Sequence, residues 1–222
     1  MARLARLVVP GIPHHVTQRA ARRLETFFDR ADYDVYRELL AEWCRKAGTE
    51  IWAWCLMPNH VHLILVPSHA DGLRAALGET HRRYTRHVNQ RQGWRGHLWQ
   101  ERFHSFPMDE NHLLAGARYV EQNPVRARLV RRPQNWRWSS ARAHLERRDD
   151  GVVTLAPLLD RVPDWRSFLA GGLDEAALET IRGHSRTGHP LGAEKFFRRL
   201  KALLGRDVRP RPPGRPPQRL KA

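Results

Sequence analysis

Met57-Pro58-Asn59-His60-Val61-His62-Leu63-Ile64-Leu65-Val66 is the stretch that decides the fold. Side chains of a strand alternate between its two faces, so His60 and His62 point one way while Val61, Leu63 and Leu65 point the other. Before it lies an apolar and aromatic run, 50–57, and Pro58-Asn59 between the two reads as the turn of a β-hairpin. Working outward, 8–19 reads as a strand interrupted by Pro10 and Pro13. Residues 32–47 read as a helix with Tyr33, Tyr36, Leu39, Leu40 and Trp43 at helical spacing. A second helix is expected over 73–90, a strand over 98–108 and a further helix over 113–123. The β-α-β-β-α-β order predicts an α+β chain with a ferredoxin-like antiparallel sheet and helices on one side of it. Two imidazoles side by side on a strand make half of a divalent-metal site; the same pair also occurs as a purely structural one.

A tyrosine farther along sharpens that choice. It stands in Asp109-Glu110-Asn111-His112-Leu113-Leu114-Ala115-Gly116-Ala117-Arg118-Tyr119-Val120-Glu121-Gln122-Asn123-Pro124. Acidic and amide residues suit the start of this helix and Pro124 its end. Leu113, Leu114, Ala117, Val120 and Glu121 fall at helical spacing, giving a largely apolar face that should pack on a sheet. His112, Gly116, Tyr119 and Asn123 share another face. There Asn123 follows Tyr119 by one turn, and Gly116 leaves room beside the phenol. Tyr84, within Arg82-Arg83-Tyr84-Thr85-Arg86, has no such partner and reads as helix packing or a DNA contact. Glu121, two residues from Tyr119, points around the helix and is not expected to carry chemistry.

Together these residues resemble the single-tyrosine HUH transposases (IS200-like), and within them the REP-associated tyrosine transposases of bacteria. The likeness runs from about Leu7 to Leu145. It takes in Gly11-Ile12-Pro13-His14-His15-Val16-Thr17-Gln18-Arg19, the His-Val-His strand and Gly96-His97-Leu98-Trp99-Gln100-Glu101-Arg102-Phe103. Tyr119-Val120-Glu121-Gln122-Asn123-Pro124-Val125-Arg126-Ala127 and Trp138-Ser139-Ser140 complete it. Two positions depart from the pattern. Ala20-Ala21 stand where many relatives have Gly-Asn, and Asn123 stands where the wider family has Gln, one methylene longer.

The resemblance implies the same sheet core, with the tyrosine helix added so that Tyr119 faces the histidines. It implies a metal-dependent single-stranded DNA endonuclease and strand transferase acting on hairpin-forming palindromic repeats. Tyr119 would be the nucleophile, forming a 5′-phosphotyrosine link, and His60, His62 and Asn123 would be ligands of Mg²⁺ or Mn²⁺. The alternative is a transposase-derived protein that occupies such repeats without catalysis. A replication initiator or relaxase shares the His-x-His logic, but this chain has no P-loop.

Composition agrees with a polyanionic partner. The 222 residues carry a formal charge of +16 and a pI near 11.3, and the only lysines are Lys46, Lys195, Lys201 and Lys221. Arginine suits bidentate phosphate contacts and stacking on bases. Candidate DNA contacts are Arg19, Arg22, Arg23, Arg102 and Arg126, with Trp94, Trp99 and Phe103 as a stacking surface interleaved with Arg95 and Arg102. Cys44 and Cys55 are too few for a disulfide framework, and no membrane-length apolar run is present, so a cytoplasmic, nucleoid-associated protein is expected, monomer or homodimer. The organisation expected is a nuclease domain over 1–148, a helical extension over 149–208 and a basic Pro/Arg-rich tail over 209–222. The tail's Gly214-Arg215-Pro216 resembles an AT-hook, with Arg215 entering a narrow minor groove.

Overall fold

The computed structural model describes residues 6–209. The tail's Arg215 therefore lies outside the described residues. A four-stranded antiparallel sheet is built from β1 (His14–Arg19), β2 (Thr49–Met57), β3 (His60–Pro67) and β4 (His104–Pro107), in the order β2-β3-β1-β4. With α1 (Arg30–Lys46) after β1 and α2 (Gly72–Gln92) after β3, this is the expected ferredoxin-like arrangement. Pro58-Asn59 turns β2 into β3, and Met57 pairs with His60 directly across that turn.

α1 and α2 share one side of the sheet as expected, and the tyrosine helix with later helices covers the other. On the first face α1 and α2 bury Tyr36, Leu40, Leu77 and Tyr84 against Val16, Trp54, Leu56, Val61, Leu63 and Leu65. On the second face α3 (Glu110–Glu121) packs Leu113, Ala117 and Val120 against Cys55, Ile64, Phe106 and Met108. The short α4 (Asn123–Arg126), α5 (Ala141–Glu146) and α6 (Ala156–Leu159) follow, then α7 (Trp165–Ala170), α8 (Glu175–Thr187) and α9 (Glu194–Leu204). Trp165, Leu169, Leu178 and Ile181 from this later part join the second-face core.

Three elements differ from the sequence expectation for local reasons. β1 begins only at His14, because Pro10 and Gly11 form a turn in which Gly11 takes φ +69° and donates its N–H to the Pro67 carbonyl at 2.8 Å. The strand expected over 98–108 is ordered as a ladder only from His104; Trp99 makes one isolated bridge, to Ala20, after the left-handed Gly93 and Gly96. The tyrosine helix stops at Glu121, and Pro124 sits in the first turn of α4, where no backbone N–H is required of it.

Buried polar groups fix the second-face helices. Glu121 is fully buried and accepts from Ser140 Oγ (2.6 Å) and Trp165 Nε1 (2.8 Å), with His144 Nδ1 2.6 Å away. This one carboxylate ties α3 to α5 and α7, consistent with its turning away from the phenol. Asp109 caps α3 through the His112 N–H (3.0 Å) and also accepts the Ala193 N–H just before α9 (2.8 Å).

Candidate active site

The register of the sheet gathers the polar residues of the second face at one end. Directly opposed residues in antiparallel strands share a face, so the pairs Arg19–His60, Thr17–His62 and Thr17–His104 place all five on the side of α3. A cavity of about 620 Å³ opens there, lined by Thr17, Arg19, Arg23, His60, His62, Gln100, Glu101, His104 and Tyr119, with Arg182, Ser185 and Arg186 of α8 closing it.

His60 and His62 meet edge to face with ring centroids 4.9 Å apart, and the Tyr119 ring lies 5.3 Å from that of His62. The strand thus delivers both imidazoles, and the helix the phenol, to one hollow. Burial lowers the pKa of His60 to about 4, helped by the charge of Arg19. His62 is pushed well below the usual histidine range by burial, with His60, His15, Arg126 and Arg19 adding to it. Both are therefore neutral at physiological pH, the form that binds a cation. His60 Nδ1 is 2.6 Å from Asn59 Oδ1, and His62 Nδ1 is 3.3 Å from His15 Nε2. Each ring thus has its Nδ1 engaged, the kind of contact that fixes the orientation of a metal-binding imidazole. This donor set fits two imidazole ligands of a divalent ion. Among the described residues, no group of three or more His, Cys, Asp and Glu side chains is arranged to hold a metal ion.

Several expected residues fall elsewhere. Asn123 opens α4, one turn beyond Tyr119, but is buried and does not line the cavity. Gly116 leaves no room beside the phenol: a Cβ there would meet Met108 Sδ at 3.0 Å and Ile64 Cδ1 at 3.7 Å. Arg126 is not a free phosphate grip, since its guanidinium lies 4.1 Å above the Tyr119 ring and donates to the Tyr119 carbonyl at 3.0 Å. Burial lowers its pKa. Trp99 and Phe103 belong to the first-face core, which removes them as a stacking platform; Trp99 packs against Tyr36, His81 and Tyr84. Trp94 is exposed. Tyr84 is buried and donates its hydroxyl to the Thr26 carbonyl at 2.7 Å, so it is helix packing.

Arg19 is exposed on the cavity wall, Arg22 is exposed outside it with φ +56°, and Arg102 borders an adjoining hollow of about 410 Å³. His15, Arg182, Ser185 and Arg186 received no role from the sequence. The three α8 residues have the i, i+3, i+4 spacing of one helix face, which becomes informative only once the face is known to meet β1 and β4.

The family model described as "Transposase IS200 like" matches residues 9–123, more than half of the chain. The chain belongs to the IS200-like transposase family. That segment holds His60, His62, Tyr119 and Asn123 but ends well before α8. Among solved structures, a REP-associated tyrosine transposase bound to a REP hairpin shares the fold, with a TM-score of 0.57 at 21% identity over 70% of this chain and 90% of that one. A Deinococcus radiodurans R1 protein described as a transposase aligns at 25% identity over 55% of this chain and 97% of its own, with a TM-score of 0.39. A search of curated proteins gives no match. No helix among the described residues is long and apolar enough to cross a membrane.

Proposed function

We propose that this family member cuts and rejoins single-stranded DNA, with Tyr119 as nucleophile and hairpin-forming repeat DNA as substrate. The observation that carries the reading is the meeting of Tyr119 with His60 and His62 in one arginine-rimmed cavity. The hairpin partner follows from the solved relative of the same fold, which holds a REP hairpin.

Tyr119 Oη attacks the scissile phosphorus in line. The phenol gives up its proton as the Tyr–O–P bond forms, the P–O3′ bond breaks, and the released 3′-oxygen takes up a proton, so none is gained or lost overall. The 5′-phosphotyrosine link conserves the phosphodiester energy, so another 3′-hydroxyl can reverse the step and join a new strand without ATP. Arg19, Arg23 and Arg186 on the cavity wall hold and neutralise phosphate oxygens. Arg126, above the phenol ring, favours the charge that develops on the tyrosine oxygen. His60 and His62 are the proposed holders of Mg²⁺ or Mn²⁺; Asn123, expected as a third donor, is buried and does not line the cavity. Such an ion, when bound, supplies Lewis acidity at the phosphate.

The test is formation of a denaturation-resistant adduct between the protein and labelled single-stranded repeat DNA in Mn²⁺. Wild type should form it. Tyr119→Phe should not, while still shifting the hairpin in a gel. Chelator and His60→Ala should each suppress it. An adduct that survives in Tyr119→Phe sinks the assignment, and hairpin binding by wild type with no adduct under any metal returns the protein to a binding role.

A further inference from the structure

His15 is buried beside His62 and does not line the cavity. The two rings are nearly parallel, 7° apart, with centroids 5.4 Å apart and the facing nitrogens 3.3 Å apart. Those two distances put both nitrogens close to the line joining the ring centres. The contact is therefore edge to edge in the ring plane, which is hydrogen-bond geometry and not face stacking. The far nitrogen, His15 Nδ1, lies 3.4 Å from Ser185 Oγ of α8. A row of three groups thus runs from His62 through His15 to Ser185.

Between two neutral imidazoles a single hydrogen serves the link, so the row has two registers. In one, His62 Nδ1–H donates to His15 Nε2 and His15 Nδ1–H donates to Ser185 Oγ, leaving a lone pair on His62 Nε2. In the other, every donor reverses, and His62 Nε2 carries hydrogen and repels a cation. We infer that His15 and Ser185 are positioning residues that hold His62 in the first register, with its Nε2 lone pair available for a divalent cation. His15 supplies the acceptor, and the Ser185 hydroxyl takes the hydrogen that His15 must then place on Nδ1. Neither residue touches the DNA in this scheme. Helix α8 thereby acts on the histidine strand through Ser185 as well as closing the cavity.

The inference rests on the metal reading above, and its test separates the two. Nitrogen NMR of the metal-free full-length protein, labelled at histidine and assigned with His62→Gln, reports which His62 nitrogen carries hydrogen. Wild type should show hydrogen on Nδ1. His15→Leu should move it to Nε2, the preferred position in free histidine, and weaken Mn²⁺ binding by about 10- to 100-fold. His15→Gln, whose amide oxygen can still accept, should keep the wild-type tautomer and bind Mn²⁺ within a few-fold. Ser185→Ala should shift in the same direction as His15→Leu by a smaller amount, and it serves as the test if His15→Leu does not fold. Hydrogen on Nε2 in wild type, or no change in His15→Leu and Ser185→Ala, would overturn the inference. Failure of wild type to bind Mn²⁺ would instead sink the metal reading and leave the tautomer result to be judged alone.

Discussion

The two faces of the sheet are built from alternate residues of the same strands, yet they do opposite things. On the α1/α2 face, Val61, Leu63 and Leu65 are fully buried, and Tyr84 within the packing donates its hydroxyl to the Thr26 carbonyl. On the α3 face, Ile64 and Phe106 are buried equally well, but His60, His62 and Thr17 at the same end of the strands border open space. The first face supplies hydrophobic stabilisation along the length of the strands. The second divides along the strand direction: its far half packs against helices and its near half borders the cavity. A shift of one residue in β3 register would exchange the histidines for Val61 and Leu63, so the closed face also fixes the open one.

The contrast can be broken at matched positions. The largest separation is between the two tyrosines: Tyr119→Phe should eliminate DNA adduct formation while changing stability by no more than about 0.5 kcal/mol, because it removes only a hydroxyl and keeps the ring that packs on His15, His62 and Arg126. Calorimetry alongside the adduct assay checks both halves, and a large loss of stability would mean that Tyr119 belongs to the core first. Leu63→Ala should do the reverse. It costs about 2–5 kcal/mol through lost burial and cavity formation, read as a lower urea midpoint, with adduct chemistry retained in the folded fraction.

Acid should act on the α1/α2 face, which carries the buried His14 and His81. Burial holds His14 near 4 and His81 near 3, whereas an unfolded histidine titrates at about 6.5. As pH falls, the unfolded chain takes up protons first. Their contribution is thus intact above about pH 6.5 and is lost progressively below it, by up to about 1.4 kcal/mol per histidine per pH unit. Urea midpoints measured between about pH 7 and 4 should decline, and His81→Gln should flatten the decline. A midpoint that rises on acidification would contradict the burial account. The smallest effect is Tyr84→Phe, which removes one buried hydrogen bond for about 1 kcal/mol and should leave the DNA adduct at wild-type yield.

Much of this was legible in the chain because it is local. The alternation at His60–Val61–His62 fixes a shared face, the Pro58-Asn59 turn fixes the hairpin, and the apolar spacing of Leu113, Ala117 and Val120 fixes which side of α3 meets the sheet. What escaped depends on tertiary placement. Trp99 reads the same whether it stacks on a base or on Tyr36, and the choice is made by the bridge to Ala20 that carries it inward. Gly116 reads as open space until Met108 fills it. His15 gains meaning only from its neighbours in space, His62 across the sheet and Ser185 far along the chain. The two helices of the βαββαβ order share one side as expected, whereas much of the second-face cover comes from segments beyond that order.

The position of α8 in the chain has a consequence for synthesis. A ribosome completes the histidine strand and Tyr119 long before it reaches Arg182, Ser185 and Arg186. A product released at the end of the family-matched segment, residue 123, would carry His60, His62 and Tyr119 but lack the third wall and the Trp165 donor that anchors Glu121. Prematurely terminated chains are thereby denied a finished cavity, which is complete only once α8 has been made.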